Sequence, residues 1–158
     1  ALARARHEHR AVAAMFIDLD GFKEVNDTLG HAAGDELLSQ LGTRLQKVVR
    51  SEDCVGRLGG DEFVAVLEGK CLESGPEAIA ARLMNEVRKP FRLACVPGRE
   101  LTVTASIGIA TGERRSADEM LRDADLALYR AKAMGKDCYV VYSPHMLEPS
   151  GLLKPGPL

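Results

Sequence analysis

Three things are missing from this sequence, and each argues against a class of function. There is no surplus of positive charge: 21 lysines and arginines stand against 23 aspartates and glutamates, a formal net charge of −2. Proteins that bind nucleic acid or anionic membranes along a broad face carry a basic excess, so neither is the expected partner, although a local basic pocket for phosphates remains open. There is no paired-cysteine motif. Cys54, Cys71, Cys95 and Cys138 are scattered, without CxxC and without histidine at zinc-finger spacing, which argues against a zinc site. They read as reduced, mostly buried thiols of a cytoplasmic protein. There is also no apolar run of membrane-spanning length, and the basic start over 1–10 leads into no signal-peptide core. No membrane contact by this domain is expected, and any anchoring of a parent protein would come from other parts.

What is present suits one compact domain. The chain has 158 residues, 46% of them hydrophobic and 28% charged, enough for a single core. It begins with alanine and reads as a piece of something longer. Residues 1–142 are expected to form the domain, and the proline- and glycine-rich stretch 143–158 reads as a linker or disordered end.

Strand-like and helix-like segments alternate. A continuous apolar run over 12–19 ends in carboxylates and predicts a buried strand delivering Asp18 and Asp20 to its edge. A short helix is predicted over 22–29. A longer one over 35–49 enters at Gly34, carries Leu38, Leu41, Leu45 and Val48 on one face, and has Arg44, Lys47 and Arg50 near its exit, where they suit the helix dipole. Two β runs, 54–58 and 63–67, flank Gly59-Gly60-Asp61-Glu62 and predict a hairpin with acids at its tip. A helix over 76–88 follows, then a second antiparallel pair, 91–96 with 100–110, joined at Pro97-Gly98. The clearest helix, 116–134, opens with a Ser116/Glu119 capping box, turns Leu121, Ala124, Leu128 and Ala131 inward, and stops at Gly135. A last strand covers 137–142. The order β-α-α-β-β-α-β-β-α-β implies an α/β (α+β) domain, with a mixed, mostly antiparallel central sheet flanked by helices. Leu121, Leu128 and Met134 read as core, Tyr129 as packed with its hydroxyl tied locally, His31 as a loop-packing residue, and His7 and His9 as solvated.

Carboxylates arrive at strand ends twice, at Asp18/Asp20 and at Asp61/Glu62. If the first strand and the hairpin are neighbours, these acids converge. Such a cluster suits Mg²⁺, which takes oxygen ligands and keeps phosphates as its others, while glycines let a phosphate or ribose approach the backbone. The residues alone leave a second reading open, because strand-end acids and Gly-Gly-Asp are also ordinary solvated hairpin chemistry.

The wider pattern resembles a known family. Gly59-Gly60-Asp61-Glu62-Phe63 is the five-residue motif that names the GGDEF-type diguanylate cyclases. Phe16 to Lys23, Asn26 to His31 and Gly34-Asp35 match the same family upstream. Ala124-Asp125, Ala127 to Lys132 and Gly135-Lys136 match its last helix, so the resemblance covers 12–142. Three blocks in order carry far more weight than one short motif. The family's usual opening segment, similar to Asp-x-Leu-Thr-Gly-Leu-x-Asn-Arg, is not in the chain, which bears on dimer geometry and full activity rather than on the nucleotide pocket. Tyr142 to Met146 resembles the link that often precedes a cyclic di-GMP phosphodiesterase (EAL) domain.

The resemblance implies the nucleotidyl-cyclase fold, similar to a polymerase palm and ferredoxin-like. It also implies an Mg²⁺- or Mn²⁺-dependent condensation of two GTP into cyclic di-GMP with release of pyrophosphate. Asp18 and Glu62 would bind metal with the backbone carbonyl of Leu19, and Asp61 would sit at the metals and the ribose 3′-hydroxyl. Gly59 and Gly60 would cradle the nucleotide, Asn26 and Asp35 would read guanine, and Lys23, Lys132 and Lys136 would hold the β- and γ-phosphates. The family often has arginine where Lys136 stands, so a bidentate clamp is here a point charge, expected to weaken binding rather than abolish it. Each domain would hold one GTP, making a homodimer necessary for catalysis. Arg50-Ser51-Glu52-Asp53 fits the RxxD inhibitory motif, with Arg50 and Asp53 binding product. The implied parent carries sensor and EAL domains. The alternative reading is a catalytically silent GTP- or cyclic di-GMP-binding regulator attached to such a domain.

Overall fold

The computed structural model describes residues 12–69, 75–112 and 116–147. His7, His9, Cys71 and the tail beyond 147 lie outside the described residues. In chain order the elements are β1 (Val12–Asp20), α1 (Phe22–Leu29), α2 (His31–Val48), β2 (Cys54–Gly59), β3 (Glu62–Glu68), α3 (Pro76–Arg88), β4 (Phe91–Arg92), β5 (Glu100–Leu101), β6 (Thr104–Thr111), α4 (Ala117–Ala133) and β7 (Tyr139–Val141), with a 3₁₀ turn at Pro144–Leu147.

The main sheet runs β2-β3-β1-β6-β7. All its pairings are antiparallel except β6 with β7, which is parallel. β1 lies at the centre because its apolar run can be buried on both faces. Ala13, Met15, Ile17 and Leu19 point into the larger core with Leu37, Leu41 and Leu45 of α2 and Leu83 and Val87 of α3, whereas Val12 and Ala14 meet Met120 and Ala124 of α4. Burying each of these leucines contributes about 1.5–3 kcal/mol, which makes the α2–α3 side the main source of stability.

α4 lies close on the sheet because β6 offers it a glycine. A Cβ on Gly108 would come within 2.1 Å of the Ala124 carbonyl oxygen and 2.2 Å of the Leu128 nitrogen, both backbone atoms. The capping box is present: the Ser116 hydroxyl accepts from the Glu119 amide, and the Glu119 carboxylate accepts from the Ser116 amide, each at 3.1 Å. Such a cap stabilises a helix start by about 1 kcal/mol.

Several expectations need correction. α2 starts at His31, which is exposed on its first turn, with Gly30 as the cap (φ 88°). Gly34 lies inside the helix because Asn26 crosses it there: a Cβ would come within 1.9 Å of the Asn26 Oδ1. Arg44 does not serve its own helix exit. It donates to the carbonyls of Glu86, Lys89 and Pro90, capping the end of α3, and its guanidinium stacks 3.6 Å from the centre of the Phe91 ring. The predicted second hairpin divides: Phe91–Arg92 and Glu100–Leu101 form a small separate ribbon, while Thr104–Thr111 joins the main sheet beside β1. Met134 ends α4 in solvent rather than in the core, and Tyr129 is about half exposed, because both lie off the stripe that faces β6. Cys54, Cys95 and Cys138 are free, but Cys54 on the edge strand and Cys95 in the β4–β5 link are exposed, and Cys138 is only partly buried.

Candidate active site

The β1–β3 pairing decides what the carboxylates can do together. Its register sets Asp18 directly opposite Glu62, so the two side chains share one face of the sheet. The hairpin tip is tied to the same strand by the Leu19 amide, which donates to the Asp61 carbonyl at 3.3 Å. Gly60 takes the left-handed conformation (φ 53°) that a two-residue hairpin requires at its first loop position. A Cβ on Gly59 or Gly60 would meet no atom within 4 Å, so the space above the tip is open.

Lys132 reaches this group from α4, its ammonium 2.9 Å from the Asp18 carboxylate. Burial pushes the Asp18 carboxyl up, the Lys132 hydrogen bond pulls it down, and the charges of Asp61 and Glu62 push it up further, for a net rise above the ordinary 3.8. Burial works against the Lys132 charge, but Asp18, Asp61 and Glu62 outweigh it and raise its pKa. The Asp18 rise is first an effect of burial and then of its acidic neighbours, whereas the Lys132 rise comes from the carboxylates around it. Among the described residues no three His, Cys, Asp or Glu side chains gather as a metal cage. Two carboxylates across a strand register do fit an ion such as Mg²⁺, which takes one or two protein carboxylates and completes its shell with phosphates and water.

A second group lies where α1 and α2 meet. The Asn26 Oδ1 is buried and has no hydrogen-bond partner among the described residues, a costly state unless something else donates to it. Asp35 is exposed one residue past Gly34, against which Asn26 packs. Asp35 also lines an open groove of about 400 Å³ between α2 and β2, together with Leu38, Ser39, Val55, Arg57 and Phe63. Lys23 on α1 and Lys136 after α4 are exposed. At the start of β2, Asp53 acts as a turn acceptor, taking the amides of Arg50 at 3.0 Å and Glu68 at 3.2 Å.

Two residues were misread or missed from sequence. Asp20 was grouped with Asp18, yet its carboxylate is filled by the hydroxyls of Thr104 (2.7 Å) and Ser106 (2.8 Å) and the amide of Asp137 (3.0 Å). Arg57 donates to the Gly60 carbonyl at 2.8 Å and braces the hairpin tip. Its place two residues before the glycine pair was the available signal.

Residues 1–138 match the family described as "Diguanylate cyclase, GGDEF domain", and the chain belongs to that family. It is 36% identical over 148 residues to the bifunctional diguanylate cyclase/cyclic di-GMP phosphodiesterase MucR of Pseudomonas aeruginosa, across 92% of this chain and 21% of MucR. It is equally 36% identical over 148 residues to the cyclic di-GMP phosphodiesterase NbdA of the same organism, across 92% of this chain and 18% of NbdA. The diguanylate cyclase TpbB, also from P. aeruginosa, is 41% identical over 138 residues, across 84% of this chain and 31% of TpbB. The solved GGDEF domain of TpbB superposes with a TM-score of 0.85 at 35% identity, across 92% of this chain and 84% of that one. The chain therefore spans about a fifth of the length of MucR and NbdA.

Proposed function

We propose that this domain binds GTP with Mg²⁺ or Mn²⁺ and, facing a second copy of itself, condenses two GTP into cyclic di-GMP. The observation that carries the reading is the pairing of Asp18 with Glu62 across β1 and β3, with Lys132 bonded to the first of them. The buried, unpartnered Asn26 Oδ1 supports it, since guanine offers N–H donors of the kind that atom lacks.

In this reading Asn26 accepts from the guanine edge, and Asp35 takes the ring N–H and amino group that adenine does not offer as a pair. Lys23, Lys132 and Lys136 hold the β- and γ-phosphates, while Gly59 and Gly60 let the nucleotide lie against the hairpin. Asp18, Glu62 and the Leu19 carbonyl hold the metal ions, which supply a lowered hydroxyl pKa and charge stabilisation at phosphorus and leaving group. Asp61 accepts the proton of the 3′-hydroxyl. That oxygen bonds to the α-phosphorus of the facing GTP, the bond to the bridging oxygen breaks, and pyrophosphate leaves. The same exchange in the opposite direction closes the ring, which is why two domains must face each other.

Arg50 and Asp53 are read as a product-binding, inhibitory site, and Arg50→Ala should relieve inhibition by cyclic di-GMP. The domain is read as a cytoplasmic part of a longer protein with sensor and EAL domains, without contact to nucleic acid. Among the described residues no helix is long and apolar enough to cross a membrane. A second reading, a silent nucleotide-binding regulator of an attached phosphodiesterase, is favoured by the similarity to NbdA.

The deciding test incubates the purified chain with GTP and Mg²⁺ over a range of protein concentrations and separates the products by chromatography. Cyclic di-GMP forming with a steep dependence on protein concentration is the expected result. GTP binding without product at any concentration would favour the regulator.

A further inference from the structure

We propose that Asp20 and Arg88 are positioning residues that clamp the turn after α4 and so set the phosphate-holding end of that helix. The inference rests on the reading of Lys132 and Lys136 as phosphate ligands and adds to it residues that touch neither nucleotide nor metal.

The backbone shows that the turn needs holding. Gly135 ends α4 in the left-handed region at φ 113°, the usual helix stop, but the two residues after it stay left-handed as well. Lys136 has φ 65° and Asp137 φ 47°, and among the described residues they are the only non-glycine residues with positive φ. A lysine has no short polar side chain to compensate this conformation locally, and two such residues in succession persist only where their surroundings over-determine them.

The surroundings do so at Asp137. Its amide donates to the Asp20 carboxylate at 3.0 Å. Its carboxylate takes the Arg88 Nε at 3.0 Å, with the Arg88 Nη2 also 3.0 Å away. Its carbonyl accepts the same Nη2 at 3.4 Å. Three elements therefore meet on one residue: β1 through Asp20, β6 through the Thr104 and Ser106 hydroxyls that hold Asp20, and α3 through Arg88. Ser106 is fully buried, so this anchor is part of the core rather than a surface contact. The Lys136 amide donates to the Ala131 carbonyl at 3.2 Å, which joins the clamped turn to the last turn of α4, where Lys132 meets Asp18. A helix stop needs only the glycine. The additional hold fixes the path of the chain through Lys136 and the pitch of the helix end that carries Lys132.

Arg88→Gln tests this best, because the Arg88 side chain is 43% exposed and its loss opens no cavity in the core. Two readings are taken. The first is hydrogen exchange of the Lys136 to Cys138 amides in the nucleotide-free protein, expected to quicken about tenfold, the effect of losing one charge-assisted hydrogen bond. The second is calorimetric binding, with Mg²⁺, of GTP and of GMP, which lacks the β- and γ-phosphates. GTP should bind about 3- to 10-fold more weakly, on the same scale, while GMP binding stays unchanged and the melting temperature falls by no more than a few degrees. Arg88→Lys should restore part of the GTP affinity, since it keeps the charge but not the fork. Asp20→Asn should act in the same direction. Unchanged exchange, or GTP and GMP weakened equally, would overturn the clamp. A wild-type chain that binds no GTP would instead overturn the proposed function, and the exchange reading would still decide whether the turn is held.

Discussion

Asp18 and Asp20 lie on the same face of the same strand, two residues apart, and the fold treats them in opposite ways. Asp20 receives two hydroxyls and an amide, so its charge is absorbed by the protein. Asp18 receives one ammonium, faces Glu62 and lies near Asp61, so its group keeps an excess of negative charge. The difference is that between a carboxylate filled by its own chain and one that the proposed function would assign to a metal ion. Position at a strand end does not distinguish them. Their partners do.

The sharpest way to break the comparison is at Glu62. Glu62→Gln keeps the shape and removes a charge from the unsatisfied group, so product formation should fall by on the order of 100-fold or more, with folding intact by circular dichroism. Retained activity would show that the surplus charge is not used for chemistry. The next largest effect concerns the seat of α4, which brings Lys132 to Asp18. Gly108→Ala drives a methyl into backbone atoms that cannot step aside, and should cost about 3 kcal/mol in urea unfolding. A neutral result would mean that α4 can lift away without loss.

The two aspartates can also be compared by stability alone. Asp20→Asn should destabilise by about 1–3 kcal/mol through lost charge-assisted hydrogen bonds. Asp18→Asn should stay within about 1 kcal/mol of wild type, because the lost Lys132 pair is offset by relief of a buried, crowded charge. Equal losses would erase the distinction.

The smallest effect is in pH dependence, where Asp18 and a third carboxylate, Glu36 on α2, should show opposite signs. Burial, with Asp61 and Glu62, raises Asp18 above its ordinary 3.8. The stability it contributes is full below that value and is lost as pH rises through the higher folded value. Glu36 accepts the amides of Ala94 and Cys95, which lower it from 4.5. Its contribution is present above 4.5 and is lost as pH falls through the lower folded value. Unfolding midpoints measured across acidic pH should lose the first slope in Asp18→Asn and the second in Glu36→Gln. An unchanged profile in either variant would refute that assignment.

Much of this was legible in the sequence because it is local. The apolar run of β1, the helical spacing of Leu38, Leu41, Leu45 and Val48, the Ser116/Glu119 box and the glycine pair at the hairpin tip each follow from backbone geometry and burial over a few residues. The family and its acidic motif were legible for the same reason, since contiguous blocks carry them. Tertiary structure alone decided which acid is which. Asp20 became structural because β6, 84 residues away, supplies Thr104, and the turn after α4, 117 residues away, supplies an amide. Arg44 was read as serving its own helix because the carbonyls it caps belong to another, and Gly34 was read as a helix start because the Asn26 that crowds it comes from α1. Short-range patterns determine which elements form. Which polar groups are satisfied depends on atoms that only the packed fold brings within 3 Å, and that accounting sets which charges remain for binding and catalysis.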